Sequence, residues 1–221
     1  MDADLLPWLI SATGFAVAMS GSPGPNNTMV AASGANFGLR ATLPHVAGVA
    51  IGFFVMLGAI ALGMGDFVVR YPSVQEVLKW VGAAYLLWLA YRIGTARPMA
   101  TPSNRPAADG SPGAEPAENG RRRGKPLTFL QAALFQWVNP KAWIVSVSAV
   151  ATFTGSGGAF GMRTVLLPLI FLIVTVPLLI LWTLTGVGAA RLLRTPRQLQ
   201  IFNYAMALLL VLSLIPQFLG E

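Results

Sequence analysis

The chain has 221 residues, 55% of them hydrophobic and 10% charged, with a formal net charge of +7. Soluble domains carry about 25% charged residues, so this is the composition of a membrane protein. With no cysteine and a single histidine, disulfides, thiolate metal sites, cysteine nucleophiles and histidine metal cages are excluded, and no cofactor is expected.

A bilayer core about 30 Å thick takes roughly 20 apolar residues per helix, and six segments qualify: about 5–36, 42–65, 74–95, 127–154, 164–190 and 198–219. Asp2 and Asp4 stand where a cleaved leader would carry basic residues, which argues against a signal peptide. The first segment carries no charge from Leu5 to Leu39, yet contains "AMSGSPGPNNTMV" (18–30). Pro23 and Pro25 each remove an N–H and bias the preceding residue away from the helix, and Gly24 between them is flexible. The sequence therefore predicts an unwound break between two half-helices. Freed backbone groups in hydrocarbon cost several kcal/mol each, so such a break survives only inside protein or beside a wet cavity.

The second segment opens with Pro44 and His45. An imidazole titrates near neutrality, which makes His45 a proton-coupling candidate; a hydrogen-bonded interfacial histidine is the plainer alternative. Asp66, at the far end, is expected to be solvated. In the third segment Lys79 and Arg92 flank a charge-free stretch and can snorkel to opposite interfaces. The stretch 97–126 is rich in Pro, Ala and Gly without apolar periodicity and reads as a disordered cytoplasmic linker. Its "RRRGK" is a topology signal in the first instance, and binding of anionic lipid or nucleic acid is the weaker reading.

The fourth segment contains "WVNPKAW" (137–143), a second proline break, at Pro140. Lys141 falls near the bilayer centre, where an unpaired lysine costs roughly 2.5–3.5 kcal/mol. Two roles suit it: pairing with a substrate carboxylate, or releasing a proton. Half-helices starting near Asn26 and Lys141 would point two positive dipole ends at mid-depth and favour a carboxylate. Preceding carbonyl ends, with the amide oxygens of Asn26, Asn27 and Asn139, would receive an ammonium. Together they suit a zwitterion; a pair of proline kinks made for packing is the structural alternative.

The linker separates a first half (1–96) from a second (127–221), and the halves resemble each other: "FGLRATLP" (37–44) recurs as "FGMRTVLLP" (160–168), and the two proline breaks correspond. Three spans per half make the repeats inverted, and paired interruptions point to a midplane site. Eleven basic residues fall in loops on one side: Arg40, Arg92, Arg97, Arg105, Arg121, Arg122, Arg123, Lys125, Arg191, Arg194 and Arg197. The positive-inside rule then puts both termini outside. The small-residue spacings "GANFG" (34–38), "GVAIG" (48–52) and "GVGAA" (186–190) permit close helix approach, within the chain or in a homodimer.

"SPGPNN", "WVGAAYLLWLAYRI" (80–93), "ALFQWVNPKAW" (133–143) and "RQLQIFNYAMALLLV" (197–211) resemble the LysE/RhtB amino-acid exporter family. The two asparagines after Pro-Gly-Pro and the Gln136–Asn139 region are similar to the branch exporting cysteine and O-acetylserine. The resemblance implies a bacterial inner-membrane exporter driven by ion or substrate gradients, with H+ as the coupling ion. Pro23, Gly24, Pro25, Asn26 and Asn27 carry the motif, and Asn139 and Lys141 match it in the fourth span.

The expectation is thus an all-α, six-span secondary transporter in a lipid bilayer. Its site comprises Pro23, Gly24, Pro25, Asn26, Asn27, Gln136, Asn139, Pro140 and Lys141, with Lys141 and His45 as proton carriers. No Asp or Glu lies mid-span to balance a basic side chain, so the expected substrate is a small neutral amino acid or derivative; the resemblance implies a cysteine/O-acetylserine-like or threonine/homoserine-like one. A basic amino-acid exporter of the same family and a channel-like or exchange carrier are the alternatives. Catalysis is disfavoured, because no nucleophile has a base nearby.

Overall fold

The computed structural model describes residues 4–65, 70–96, 125–155, 160–193, 195–215 and 218, and among them every regular element is helical. Asp66 and residues 97–124 of the linker lie outside the described residues. The helices are α1 (Leu5–Gly21), α2 (Pro25–Ala59), α3 (Pro72–Gly94), α4 (Phe129–Phe135), α5 (Pro140–Phe153), α6 (Phe160–Leu192) and α7 (Pro196–Leu212). A π-turn, Ile60–Met64, prolongs α2, and a 3-10 turn, Gln136–Val138, follows α4.

The helix starts follow from local chemistry. α2, α3, α5 and α7 all begin on a proline, whose missing N–H is no loss at the first helical position. Thr128 and Thr195 open α4 and α7 with capping boxes, each pairing reciprocally with a glutamine three residues on.

Two helices among the described residues are long and apolar enough to cross a membrane by length and composition, Pro25–Met64 with 40 residues and Gly161–Leu192 with 32. The first is not one rod. At about 1.5 Å per residue it would be about 60 Å long, twice the bilayer core. Gly38 interrupts it with φ 81 and ψ 171, a conformation open only to glycine. Across Gly38 the hydroxyls of Ser33 and Thr42 lie 2.8 Å apart; nine residues of straight helix would separate them by about 13 Å. α2 is therefore a hairpin of two arms, 25–37 and 39–59. Among the described residues the other four expected spans do not meet that length-and-composition test as single helices; the first and fourth are cut at their breaks, leaving α1 with 17 residues and α5 with 14.

Packing sorts the elements around those cuts. One apolar core joins α1, the 39–59 arm, α5 and α6 through Trp8, Phe53, Met56, Val145, Phe153 and Phe171. A second joins the 25–37 arm, α3, α4 and α7 through Met29, Leu86, Phe135 and Leu210. A third, with Val30, Val46, Val49, Ala132 and Leu179, joins both arms of α2 to α4 and α6. Small residues bring the backbones together: a Cβ on Gly186 would fall 1.9 Å from the Ala31 carbonyl oxygen. Outward, large apolar side chains stand bare, among them Leu6, Ile10, Ile144 and Ile173 (71% exposed). A water-facing surface rarely carries so much apolar area; lipid accepts it.

Candidate functional site

The two breaks meet. α1 stops at Gly21 because Ser22, before Pro23, is extended (ψ 145). Every carbonyl thereby released finds a donor. Ala18 accepts from the Ser22 N–H at 3.1 Å, and Met19 from the Ser22 hydroxyl at 2.9 Å. Asn27 Nδ2 donates to both Ser20 O and Ser22 O at 2.8 Å, and the Trp182 indole donates to Gly21 O at 3.2 Å. The remaining donor is Lys141 Nζ, 2.8 Å from Ser22 O, 2.8 Å from Ser22 Oγ and 3.3 Å from Pro23 O. An ammonium has three donors, and all three face the unwound segment, at the negative end of the α1 dipole.

Gly24 lets Lys141 in. Its backbone is fully extended (φ 177, ψ 179), which any residue adopts, but a Cβ there would lie 2.8 Å from Lys141 Cδ. Close approach is what glycine supplies at this position.

On the other side, Asn139 caps α5 by accepting from the Lys141 N–H at 3.1 Å. Gln136, fully buried, is locked to Asn26 by reciprocal amide bonds: Asn26 Nδ2 donates to Gln136 Oε1 at 2.8 Å, and Gln136 Nε2 donates back at 3.1 Å. No side chain caps the 25–37 arm, and Asn26 and Asn27 of its first turn line the same cavity as Lys141 and Ala142 of the first turn of α5.

Two cavities flank Lys141. One, of about 50 Å³, is lined by Ser20, Gly24, Asn26, Asn27, Asn139 and Thr175. The other, of about 780 Å³, runs from Pro23, Gly24 and Pro140 past Trp143 to Gly65, Gln75 and Lys79. No carboxylate lines either among the described residues.

Pro23, Gly24, Pro25, Asn26, Asn27, Gln136, Asn139, Pro140 and Lys141 are thus gathered at one place, while His45 is elsewhere, on the 39–59 arm in a separate cavity. The carbonyls expected to receive a ligand ammonium are held by Lys141 and Asn27. Sequence reasoning passed over Ser22, Ser20, Thr175 and Trp182. Ser22 is the residue before the first proline of the break, a readable signal. Thr175 shares a 3.0 Å hydroxyl contact with Ser20 and sits two residues before Pro177 inside α6, another proline within an apolar run. Trp182 carries no such mark.

Broken apolar helices, a half-buried lysine held by backbone and hydroxyl oxygens and a lipid-facing exterior define an all-α membrane protein with a polar centre. A family model described as LysE type translocator matches residues 17–213, and the chain belongs to that family. It is similar to the cysteine/O-acetylserine efflux proteins of Salmonella choleraesuis (strain SC-B67) and Salmonella typhimurium, at 34% identity over 132 residues, and of Escherichia coli K12 at 29%. Each match covers 60% of this chain and 58% of the relative, so the chain spans under three fifths of the length of the curated relatives it matches. No solved structure matches it.

Proposed function

We propose that the protein is a secondary transporter that exports small neutral amino acids or their derivatives, cysteine- or O-acetylserine-like, across the bacterial inner membrane. The observation that carries the reading is the position of Lys141: a cation held by neutral oxygens of an unwound helix, between a small cavity and a large one. Its weakest contact, 3.3 Å to Pro23 O, is the one a solute carboxylate would replace. Ionic donors prefer an ionic acceptor over a carbonyl, and the N-termini of the 25–37 arm and α5 add their dipoles. Asn26, Asn27, Gln136 and Asn139 hold the two breaks in register and offer their remaining polar atoms to the ammonium end.

In this reading the large cavity is the open approach, and the Asn26–Gln136 pair with the apolar layer of Val30, Val46, Val49, Ala132 and Leu179 is the closed side. Alternating access then exchanges them by rocking one three-helix half against the other. The membership of the cores supports inverted halves. Exchanging α1 with α4, the 25–37 arm with α5, and the 39–59 arm with α6 turns the elements of the first core into those of the third. Coupling in this reading is proton antiport: a proton is taken up from outside once the solute has been released there, and it passes to the cytoplasm before the next solute is carried out.

Orientation follows from the basic loops. With no native cysteine, Arg122→Cys should resist an impermeant thiol reagent in intact cells while Lys79→Cys labels; the reverse pattern would place the termini inside. The function itself is tested in liposomes with labelled cysteine, O-acetylserine, threonine, leucine, lysine and arginine, with and without a pH gradient. Saturable, gradient-driven uptake of a neutral member is expected, and uptake confined to lysine or arginine would overturn the substrate class.

A further inference from the structure

A second polar cavity, of about 60 Å³, lies between the two arms of α2, the end of α3 and residues 125–127, and shares no lining residue with the cavities around Lys141. His45 lines it at 1% exposure, and neither ring nitrogen has a hydrogen-bond partner. Buried polar atoms are nearly always met by something, and here the described residues supply nothing. The neighbouring polar side chains are committed elsewhere. Ser33 pairs with Thr42 at 2.8 Å. Both Asn36 amide hydrogens are taken, by Ala32 O at 2.8 Å and Asn203 Oδ1 at 2.7 Å.

Two cations complete the rim. Arg92 stacks over Trp88 at 4.9 Å and donates one bond, 3.2 Å long, to the Lys125 carbonyl, which leaves most of its five N–H donors. The Lys125 ammonium is the other. No Asp or Glu lines the cavity among the described residues. Two positive charges and, among the described residues, an unpartnered imidazole and no counter-charge make a receptor for an anion, and the planar guanidinium fork matches a carboxylate.

We propose that this cavity is a carboxylate subsite in which His45 donates a hydrogen bond and Arg92 and Lys125 supply charge, a waiting position on the same path as the Lys141 site. Asn36 lies ten residues beyond Asn26 on one helical arm, about 15 Å away, so a small zwitterion moves from one position to the other without occupying both. Naming the carboxylate as that of the exported solute rests on the transport reading; the existence of the site does not.

His45 is the single histidine of the chain, so ring-15N-histidine labelling gives one imidazole to observe. The full chain, purified in detergent on a histidine-free tag, is titrated with acetate, L-serine, acetamide and chloride. Acetate and L-serine should shift the ring resonances saturably and acetamide should not. Arg92→Gln should weaken half-saturation at least tenfold, and Lys125→Gln, at an exposed position, gives the same test if the first variant folds poorly. A response to chloride with none to acetate or L-serine overturns the carboxylate assignment, and no response to any of them overturns the site. A full carboxylate response in a protein that moves no amino acid in liposomes upholds the subsite and sinks the transport reading alone.

Discussion

Lys141 Nζ lies 2.8 Å from both the carbonyl and the hydroxyl oxygen of Ser22, although 119 residues separate them in the chain. The contact ties the C-terminal end of α1 to the first turn of α5, and so one proline break to the other. Ser22→Ala keeps the carbonyl and removes the hydroxyl. A hydrogen bond to a charged group contributes about 1.5–3 kcal/mol, less where water reaches it. Thermal unfolding in detergent should register a loss of about 1–2 kcal/mol, and initial uptake in liposomes should fall several-fold as Lys141 loses one of its fixed partners.

Gly24→Ala moves Lys141 without removing any polar group. The added Cβ meets Lys141 Cδ at 2.8 Å and Nζ at 3.0 Å, atoms near the end of a flexible side chain that can swing away. The backbone at Gly24 is extended, so alanine introduces no dihedral strain. The variant should insert, lose at least as much stability as Ser22→Ala, about 1–2 kcal/mol, because the displaced Lys141 gives up its oxygens, and lose at least tenfold in uptake. Unchanged uptake would detach the Lys141 position from transport.

The Asn26–Gln136 pair should behave as one unit. Removing Asn26 leaves the carbonyl oxygen of the buried Gln136 unmet, costing about 1–3 kcal/mol, while removing Gln136 leaves a half-buried Asn26 and costs less. Removing both as Asn26→Leu and Gln136→Leu should cost less than the sum, with a coupling of about 0.5–3 kcal/mol in a double-mutant cycle read by unfolding. Additive single effects would show that the two amides do not hold the breaks together.

The site was legible in sequence wherever a proline punctuated an apolar run. Pro23, Pro25 and Pro140 marked both breaks, and the nine residues assigned around them are assembled in one place. The fold was legible less evenly. Gly38 lay at the boundary between two expected spans, but its sign was only a glycine among small residues; the left-handed φ that turns α2 into a hairpin has no separate signature. Length carried less: 5–36 and 127–154 meet the 20-residue criterion only by counting across a break, as two half-helices each. The bonds that satisfy the break carbonyls were hidden, because Trp182 arrives from 161 residues away and nothing local announces it. His45 was recognised as chemically apt, but its burial without a partner depends on how the two arms of α2 meet residues 125–127.

The most direct measurement compares wild type with Lys141→Met in the same liposomes, with equal insertion confirmed and an imposed pH gradient. Methionine keeps the length and apolar body of the side chain while removing the ammonium. Accumulation of a labelled neutral amino acid should drop at least tenfold, with saturable uptake retained only by the wild type. Equal rates in the two proteins would contradict the claim that the cation between the broken helices is the centre of transport.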